Sequence, residues 1–137
     1  MDNEFYTYSF EKLEVWQAAR KFKKTVYQVT GNFPKEELFG LTSQIRRSAG
    51  SITSNLAEGS GRASDKDKAH FTNMAYTSAL ETIDHVITAL DMNFISKETY
   101  IDSRKSLDEI INKLNSLYKY QIGRKSNLKD FIPRKEE

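Results

Sequence analysis

The chain has 137 residues, 38% hydrophobic and 29% charged, with a net charge of +2, which suits one soluble folded domain and excludes an intrinsically disordered chain. The absence of cysteine excludes disulfide bonds and thiolate metal sites, and it is typical of a reducing compartment. No signal-peptide pattern and no apolar run of roughly 20 residues is present, so we expect a cytoplasmic protein outside the membrane.

The first half of the chain contains two stretches of helical periodicity. Residues 1–9 lack any periodicity and are predicted to form an N-terminal arm. Ser9 is a suitable N-cap for a first helix, which Gly31 should end. A turn at residues 32–34 then leads into a second helix. The apolar residues expected to face the core are Leu13, Trp16, Ala19, Phe22, Val26 and Val29 in the first helix, and Leu38, Leu41, Ile45, Ala49, Ile52 and Leu56 in the second.

The second half repeats this organisation. Ser64 is predicted to cap a third helix, and Ser96 a fourth, with a short link at 93–95 between them. The fourth helix should continue to about Ile122, and residues 123–137 form a charged tail. The apolar stripes comprise Phe71, Met74, Ala75, Ala79, Ile83, Val86 and Leu90 in the third helix, and Ile101, Leu107, Ile110, Ile111, Leu114, Leu117 and Tyr118 in the fourth.

Four long helices joined by short links constrain the architecture. Chain neighbours connected in this way must run antiparallel to each other. The sequence therefore predicts an all-α protein, with an antiparallel up-down-up-down four-helix bundle over residues 10–122.

The second helix carries few charges for a bundle helix. Residues 38–61 contain three charged side chains, Arg46, Arg47 and Glu58, whereas a bundle helix normally has a strongly charged outer face. Small residues on an outer face permit close approach of another backbone, which favours a subunit interface. The alternative is a helix lying deep within its own subunit. The residues expected at the interface are Gln44, Arg47, Gly50, Ser51, Ser54, Asn55 and Glu58.

Several segments also match a known pattern. They are FEKLEVWQ at 10–17, FPKEE at 33–37, GLTSQIRRS at 40–48, SI at 51–52 and NLAEGSGR at 55–62. Together they closely resemble the signature of a bacterial four-helix-bundle family encoded in intervening sequences of large-subunit ribosomal RNA genes, often labelled a ribosomal protein.

This resemblance implies properties that the composition alone does not. It implies a homo-pentameric ring of four-helix bundles. It also implies a relationship to the accessory protein of diversity-generating retroelements, which partners a reverse transcriptase and binds nucleic acid. No catalytic residue is established for the family, so none is expected in this chain.

Basic side chains gather in two places that could contact an anion. Their usual role is to solvate a helix face, but a modest patch repeated around a ring would create a substantial potential. The second group surrounds the start of the third helix, where free amide groups attract anions. The candidate nucleic-acid or anion contacts are Arg20, Lys21, Lys23 and Lys24 in the first helix, and Arg62, Lys66 and Lys68 in the second group.

The sequence contains only weak motifs for metal binding, phosphate binding or catalysis. Glu81 and His85 lie one helical turn apart and could share a metal, but no second ligand pair accompanies them. Gly59-Ser60-Gly61 follows a helix instead of a strand, so helix termination explains its glycines better than phosphate binding. We therefore expect no catalytic, cofactor or metal site.

The function expected from the sequence is a non-enzymatic oligomeric scaffold that binds RNA or a reverse-transcriptase-like protein through basic faces. Two alternatives remain open. One is a purely protein-binding ring, and the other is an enzyme with a site between subunits.

Overall fold

A computed structural model describes residues 4–123, and all regular structure in this part of the chain is helical. Two short 3-10 helices, Ser9–Lys12 and Lys35–Glu37, precede the first two long helices. The four long helices are α1 (Glu14–Thr30), α2 (Leu41–Ser60), α3 (Asp65–Asp91) and α4 (Lys97–Ile122). The predicted all-α class is confirmed, whereas the predicted tail, except for Gly123, lies outside the described residues.

Hydrogen bonds between α2 and α3 define their relative direction. The hydroxyl of Thr82 donates to Ser48 Oγ over 2.8 Å, and that of Ser78 donates to Ser51 Oγ over 3.0 Å. From the first pair to the second, the residue number rises in α2, from 48 to 51, and falls in α3, from 82 to 78. The two helices are therefore antiparallel. Hydroxyls and small side chains at this contact let the helices pack closely.

The contact between α1 and α2 is also antiparallel. Lys23 Nζ donates to Thr53 Oγ1 over 3.3 Å, and Arg46 Nε donates to Thr30 Oγ1 over 2.8 Å. The later residue of α1 therefore pairs with the earlier residue of α2. Both bonds lie along the seam between these helices, at the edge of the core.

The fourth helix closes the bundle. Thr72 Oγ1, near the start of α3, donates to Gln121 Oε1, near the end of α4, and α4 also packs against α1. Within the described residues, no Cα atom of α1 lies within 8 Å of one in α3, and none of α2 lies within 8 Å of one in α4, so these two pairs are diagonal in the bundle. No helix in this part of the chain has the length and hydrophobicity that crossing a bilayer requires. The largest apolar side chains of the core are Phe22, Phe33, Ile45, Ile52, Leu56, Tyr76, Leu107, Ile110, Ile111 and Leu114.

The N-caps of the last two helices are confirmed. Ser64 Oγ accepts a hydrogen bond from Asp67 N, and Ser96 Oγ accepts one from Thr99 N, both over 3.1 Å. These caps satisfy amide groups that the first turn of each helix leaves unpaired. They depend on residues three positions apart, which explains why the sequence reveals them.

The first two helices begin later than predicted. Ser9 opens a 3-10 helix, and α1 starts at Glu14. In α2 the side chain of Glu37 accepts from Leu41 N over 3.1 Å and so fixes the helix start. The prediction that Leu38 faces the core is wrong, because this residue precedes α2 and is 51% exposed.

Gly59 has a packing role and does not terminate α2. It lies inside the helix and is buried, and a Cβ atom at this position would lie 2.7 Å from the Cβ of Phe71 in α3. Gly61 follows the last residue of α2, as predicted. The expectation that helix termination explains both glycines is therefore wrong for Gly59, which instead permits close contact between α2 and α3.

Gly59→Ala is expected to lower the free energy of unfolding by about 1–3 kcal/mol, because the added methyl group overpacks a buried contact. Gly50→Ala is the matched control in the same helix. A Cβ atom on Gly50 would lie 3.8 Å from Lys23 Cδ, an ordinary contact, so the better helix propensity of alanine should leave stability unchanged or raise it by up to about 1 kcal/mol. Urea unfolding of both variants measures the difference, and equal midpoints would contradict this role of Gly59.

Candidate nucleic-acid interface

The outer side of α1 is basic. Its only carboxylate is Glu14, in the first turn, whereas four basic residues occupy the middle of the helix. Val15, Ala19, Phe22 and Val26 bury the opposite side in the core. The four basic residues are Arg20, Lys21 and Lys24, which are exposed, and Lys23, which is half-buried.

Lys23 lies over the seam between α1 and α2. Its Cδ atom is 3.8 Å from where a Cβ on Gly50 would lie, and its amine donates to Thr53 Oγ1. The lysine stem therefore passes over Gly50 at a distance that would also accommodate a methyl group. The predicted interface residue Gly50 contacts α1 of its own chain, and the lysine amine stays at the surface of the seam.

Tyr27 and Arg46 join this basic surface from the two helices. The guanidinium carbon of Arg46 lies 4.7 Å from the centre of the Tyr27 ring, and Arg46 Nε donates to Thr30 Oγ1. No carboxylate among residues 4–123 forms an ion pair with Arg46. We use the name α1–α2 face for the surface formed by Arg20, Lys21, Lys23, Lys24, Tyr27 and Arg46.

Carboxylates are scarce around the α1–α2 face. α2 contains one, Glu58 in its last turn, just as α1 contains only Glu14. By contrast, α3 carries five carboxylates and two lysines. Of these three helices, α1 and α2 therefore have a net positive charge that can attract a polyanion, whereas α3 has a net negative charge.

The second predicted basic group is separate from this face. Arg62, Lys66 and Lys68 lie around the start of α3, the helix diagonal to α1 in the bundle. Arg62 lies over the Phe71 ring, 4.4 Å from its centre, and two aspartates occupy the first turn of α3. The structure therefore places the two predicted groups in different regions, with negative charge close to the second.

The outward side of α2 presents a mixture of small and polar residues. Four of the predicted interface residues, Gln44, Arg47, Ser54 and Glu58, are exposed there, together with Ser43. We call these five residues the α2 outer face. Arg47 and Glu58 are its charged members, and the other three residues are polar and uncharged.

Two other predicted interface residues lie between helices of the same chain. Asn55 is 8% exposed, and its amide donates to the carbonyl and hydroxyl oxygens of Ser51 over 2.9 and 3.0 Å. Ser51 Oγ also accepts from Ser78 of α3. Asn55 and Ser51 therefore contribute to the contact between α2 and α3.

Glu81 connects two side chains, one from α2 and one from α3. Arg47 forms an ion pair with Glu81, and His85 Nε2 lies 3.1 Å from the same carboxylate oxygen, Oε2. Arg47 of α2 therefore has its ion-pair partner on α3 of the same chain. No group of three or more potential metal-ligating residues is present in the described part of the chain.

The comparisons with known proteins agree with the signature in the sequence. The model of the 23S rRNA-intervening sequence protein family matches residues 11–116. The chain belongs to this family. A solved structure from Bacteroides thetaiotaomicron, described as a protein of unknown function from the S23 ribosomal protein family, is similar with a TM-score of 0.72 and 25% identity. The match covers 77% of this chain and 95% of that one. A comparison with curated proteins finds no significant match.

Membership of the 23S rRNA-intervening sequence protein family confirms the resemblance that the second-helix segments carry. The family description says where the coding sequence lies, and the description of the solved relative leaves its function open. The features of this chain that indicate a function are therefore the α1–α2 face and the α2 outer face.

Proposed function

We propose that this protein is a non-enzymatic, homo-oligomeric scaffold that works in the cytoplasm and binds RNA through its α1–α2 face. One observation carries the proposal: five basic side chains project from two adjacent helices, each of which contains a single carboxylate near one end. Phosphate groups supply the negative charge that such a surface attracts, and contacts to them dominate the affinity of nucleic-acid-binding proteins.

The proposed assembly is a pentameric ring, as the family resemblance implies. The α2 outer face supports self-association, because Ser43 and Ser54 leave space for a neighbouring subunit and Arg47 is already paired with Glu81 of its own chain. Assembly would also place several α1–α2 faces on one particle. A long RNA that engages more than one of them would bind more tightly than each face does alone.

A reverse-transcriptase-like protein is a further partner that the resemblance suggests.

A second candidate function, a ring that binds only proteins, is favoured by the α2 outer face. That surface offers a contact with another subunit but lacks the positive charge that RNA requires. The two candidates differ in whether the α1–α2 face has a polyanionic ligand.

Titration with single-stranded RNA at several salt concentrations tests the proposal. Each phosphate neutralised contributes about −0.7 to the slope of log affinity against log salt concentration. If four basic side chains contact phosphates, the slope should be about −3, and affinity should fall about 50-fold between 50 and 200 mM salt. An absence of binding at 50 mM salt, where electrostatic attraction is strong, would favour the protein-binding ring.

A further inference from the structure

We propose that Tyr27 and Arg46 form a base-stacking site, so that the α1–α2 face binds single-stranded nucleic acid more tightly than duplex. This inference rests on the proposed function and names the class of its ligand. It depends on the fixed geometry of the two side chains, the exposure of the tyrosine, the adjacent lysines and a neighbouring groove.

The guanidinium of Arg46 is held in place before any ligand arrives. Its Nε donates to Thr30 Oγ1 over 2.8 Å, and Thr30 is itself buried and donates to the carbonyl oxygen of Val26 over 2.7 Å. The guanidinium carbon then lies 4.7 Å from the centre of the Tyr27 ring. A ligand therefore meets a pair whose arginine is already ordered, which reduces the entropy cost of binding.

Tyr27 retains surface for a second stacking partner. The residue is 51% exposed although Arg46 covers part of its ring. Unpaired bases stack on aromatic rings and on guanidinium planes, and this stacking tolerates different base identities. A nucleobase can therefore stack on the exposed part of the Tyr27 side chain.

The positive charges next to Tyr27 suit the backbone of the same strand. Lys23 and Lys24 precede Tyr27 by four and three residues, so they lie one helical turn away on the same side of α1. Arg46 has only one hydrogen bond within residues 4–123, through Nε, and this leaves its terminal nitrogens available to a phosphate. Base and phosphate contacts can therefore occur within one nucleotide or between neighbouring nucleotides.

A groove of about 360 Å³ adjoins this pair and provides room for a nucleotide. Thr30, Pro34, Leu38, Thr42 and Arg46 are among the residues that line it. The volume is near the lower end of the range for small-molecule sites, about 300–1,000 Å³. In a duplex the bases are stacked on one another inside the helix, so only a single strand can place a base on the ring or in this groove.

The test measures the affinities of the wild type, Tyr27→Ala and Tyr27→Phe for three ligands. These are oligouridine, duplex RNA and inorganic polyphosphate, which has phosphates but no bases. Removing the ring should weaken oligouridine binding by about 5- to 100-fold, whereas phenylalanine should retain it. Affinities for duplex RNA and polyphosphate should change less than twofold. Tyr120→Ala, which removes an 85% exposed tyrosine from α4, is the matched control and should leave all three affinities unchanged.

Tyr27→Trp supplies a second readout if the alanine variant folds poorly. Oligouridine should quench its fluorescence beyond that of the wild type, which contains Trp16, and polyphosphate should not. Unchanged oligouridine binding by a folded Tyr27→Ala protein, an equal loss for all three ligands, or no additional quenching would overturn the stacking site. If the wild type binds none of the three polyanions, the proposed function fails as well, so the two failures are distinguishable.

Discussion

Replacing Arg20, Lys21 and Lys24 together by alanine is expected to weaken binding of single-stranded RNA by at least about 100-fold at 50 mM salt. The loss of three phosphate contacts makes the slope of log affinity against log salt concentration shallower by about 2. The two proteins should bind equally at about 1 M salt, where phosphate contacts contribute little, and their affinities diverge over the roughly 1.3 decades from there to 50 mM. The slope should become correspondingly shallower. Lys23 is retained in this variant because its stem packs over Gly50.

The control for this variant removes the same charge elsewhere. Lys97, Lys105 and Lys119 are exposed on α4, so their joint replacement by alanine also changes the net charge by three units. The α4 variant should retain most of the RNA affinity and the original slope. Equal losses in the two triple variants would show that net charge alone determines binding, and an unaltered slope in the α1 variant would place the RNA away from the α1–α2 face.

Ser54→Arg is expected to convert the proposed pentamer to monomers at micromolar concentration. Ser54 is exposed on the α2 outer face, where a close contact between subunits would have no space for a long charged side chain. Overpacking typically costs about 1–3 kcal/mol, and in a closed ring this cost arises at every interface. Because the residue is exposed within its own subunit, the unfolding temperature of the monomer should change little. Light scattering across a range of protein concentrations measures the assembly.

Ser116→Arg is the matched control for the assembly experiment. Ser116 is an exposed serine in α4, and the same substitution there should leave the mass of the particle unchanged. A wild-type protein that is monomeric over the whole concentration range would contradict the proposed ring. An assembled Ser54→Arg protein would instead show that subunits meet through a surface other than the α2 outer face.

Features that depend on nearby residues could be predicted from the sequence. The caps at Ser64 and Ser96 require a hydroxyl and an amide three residues apart, and both occur in the structure. The positions of α3 and α4 follow from apolar periodicity for the same reason. The start of α2 was predicted less well, because the Glu37 carboxylate caps Leu41 and leaves Leu38 outside the helix.

Features that depend on contacts between helices could not be predicted in this way. The sequence does not show that Gly59 lies against Phe71, or that Asn55 is buried with its amide bonded to Ser51. The pairing of Tyr27 with Arg46 is a similar case, because the two residues belong to different helices. Arg46 is one of three charged residues between 38 and 61, which is a visible signal, but only the packing of α1 against α2 identifies Tyr27 as its partner.

Photo-crosslinking of the wild-type protein to single-stranded RNA containing 4-thiouridine tests the location of the RNA most directly. Digestion and mass spectrometry identify the crosslinked residues. We expect crosslinks in residues 20–27 of α1 and near Arg46 in α2, and they should disappear when salt is raised enough to abolish binding. Crosslinks confined to residues 62–68 or to residues 124–137 would contradict the claim that the α1–α2 face is the site of RNA binding.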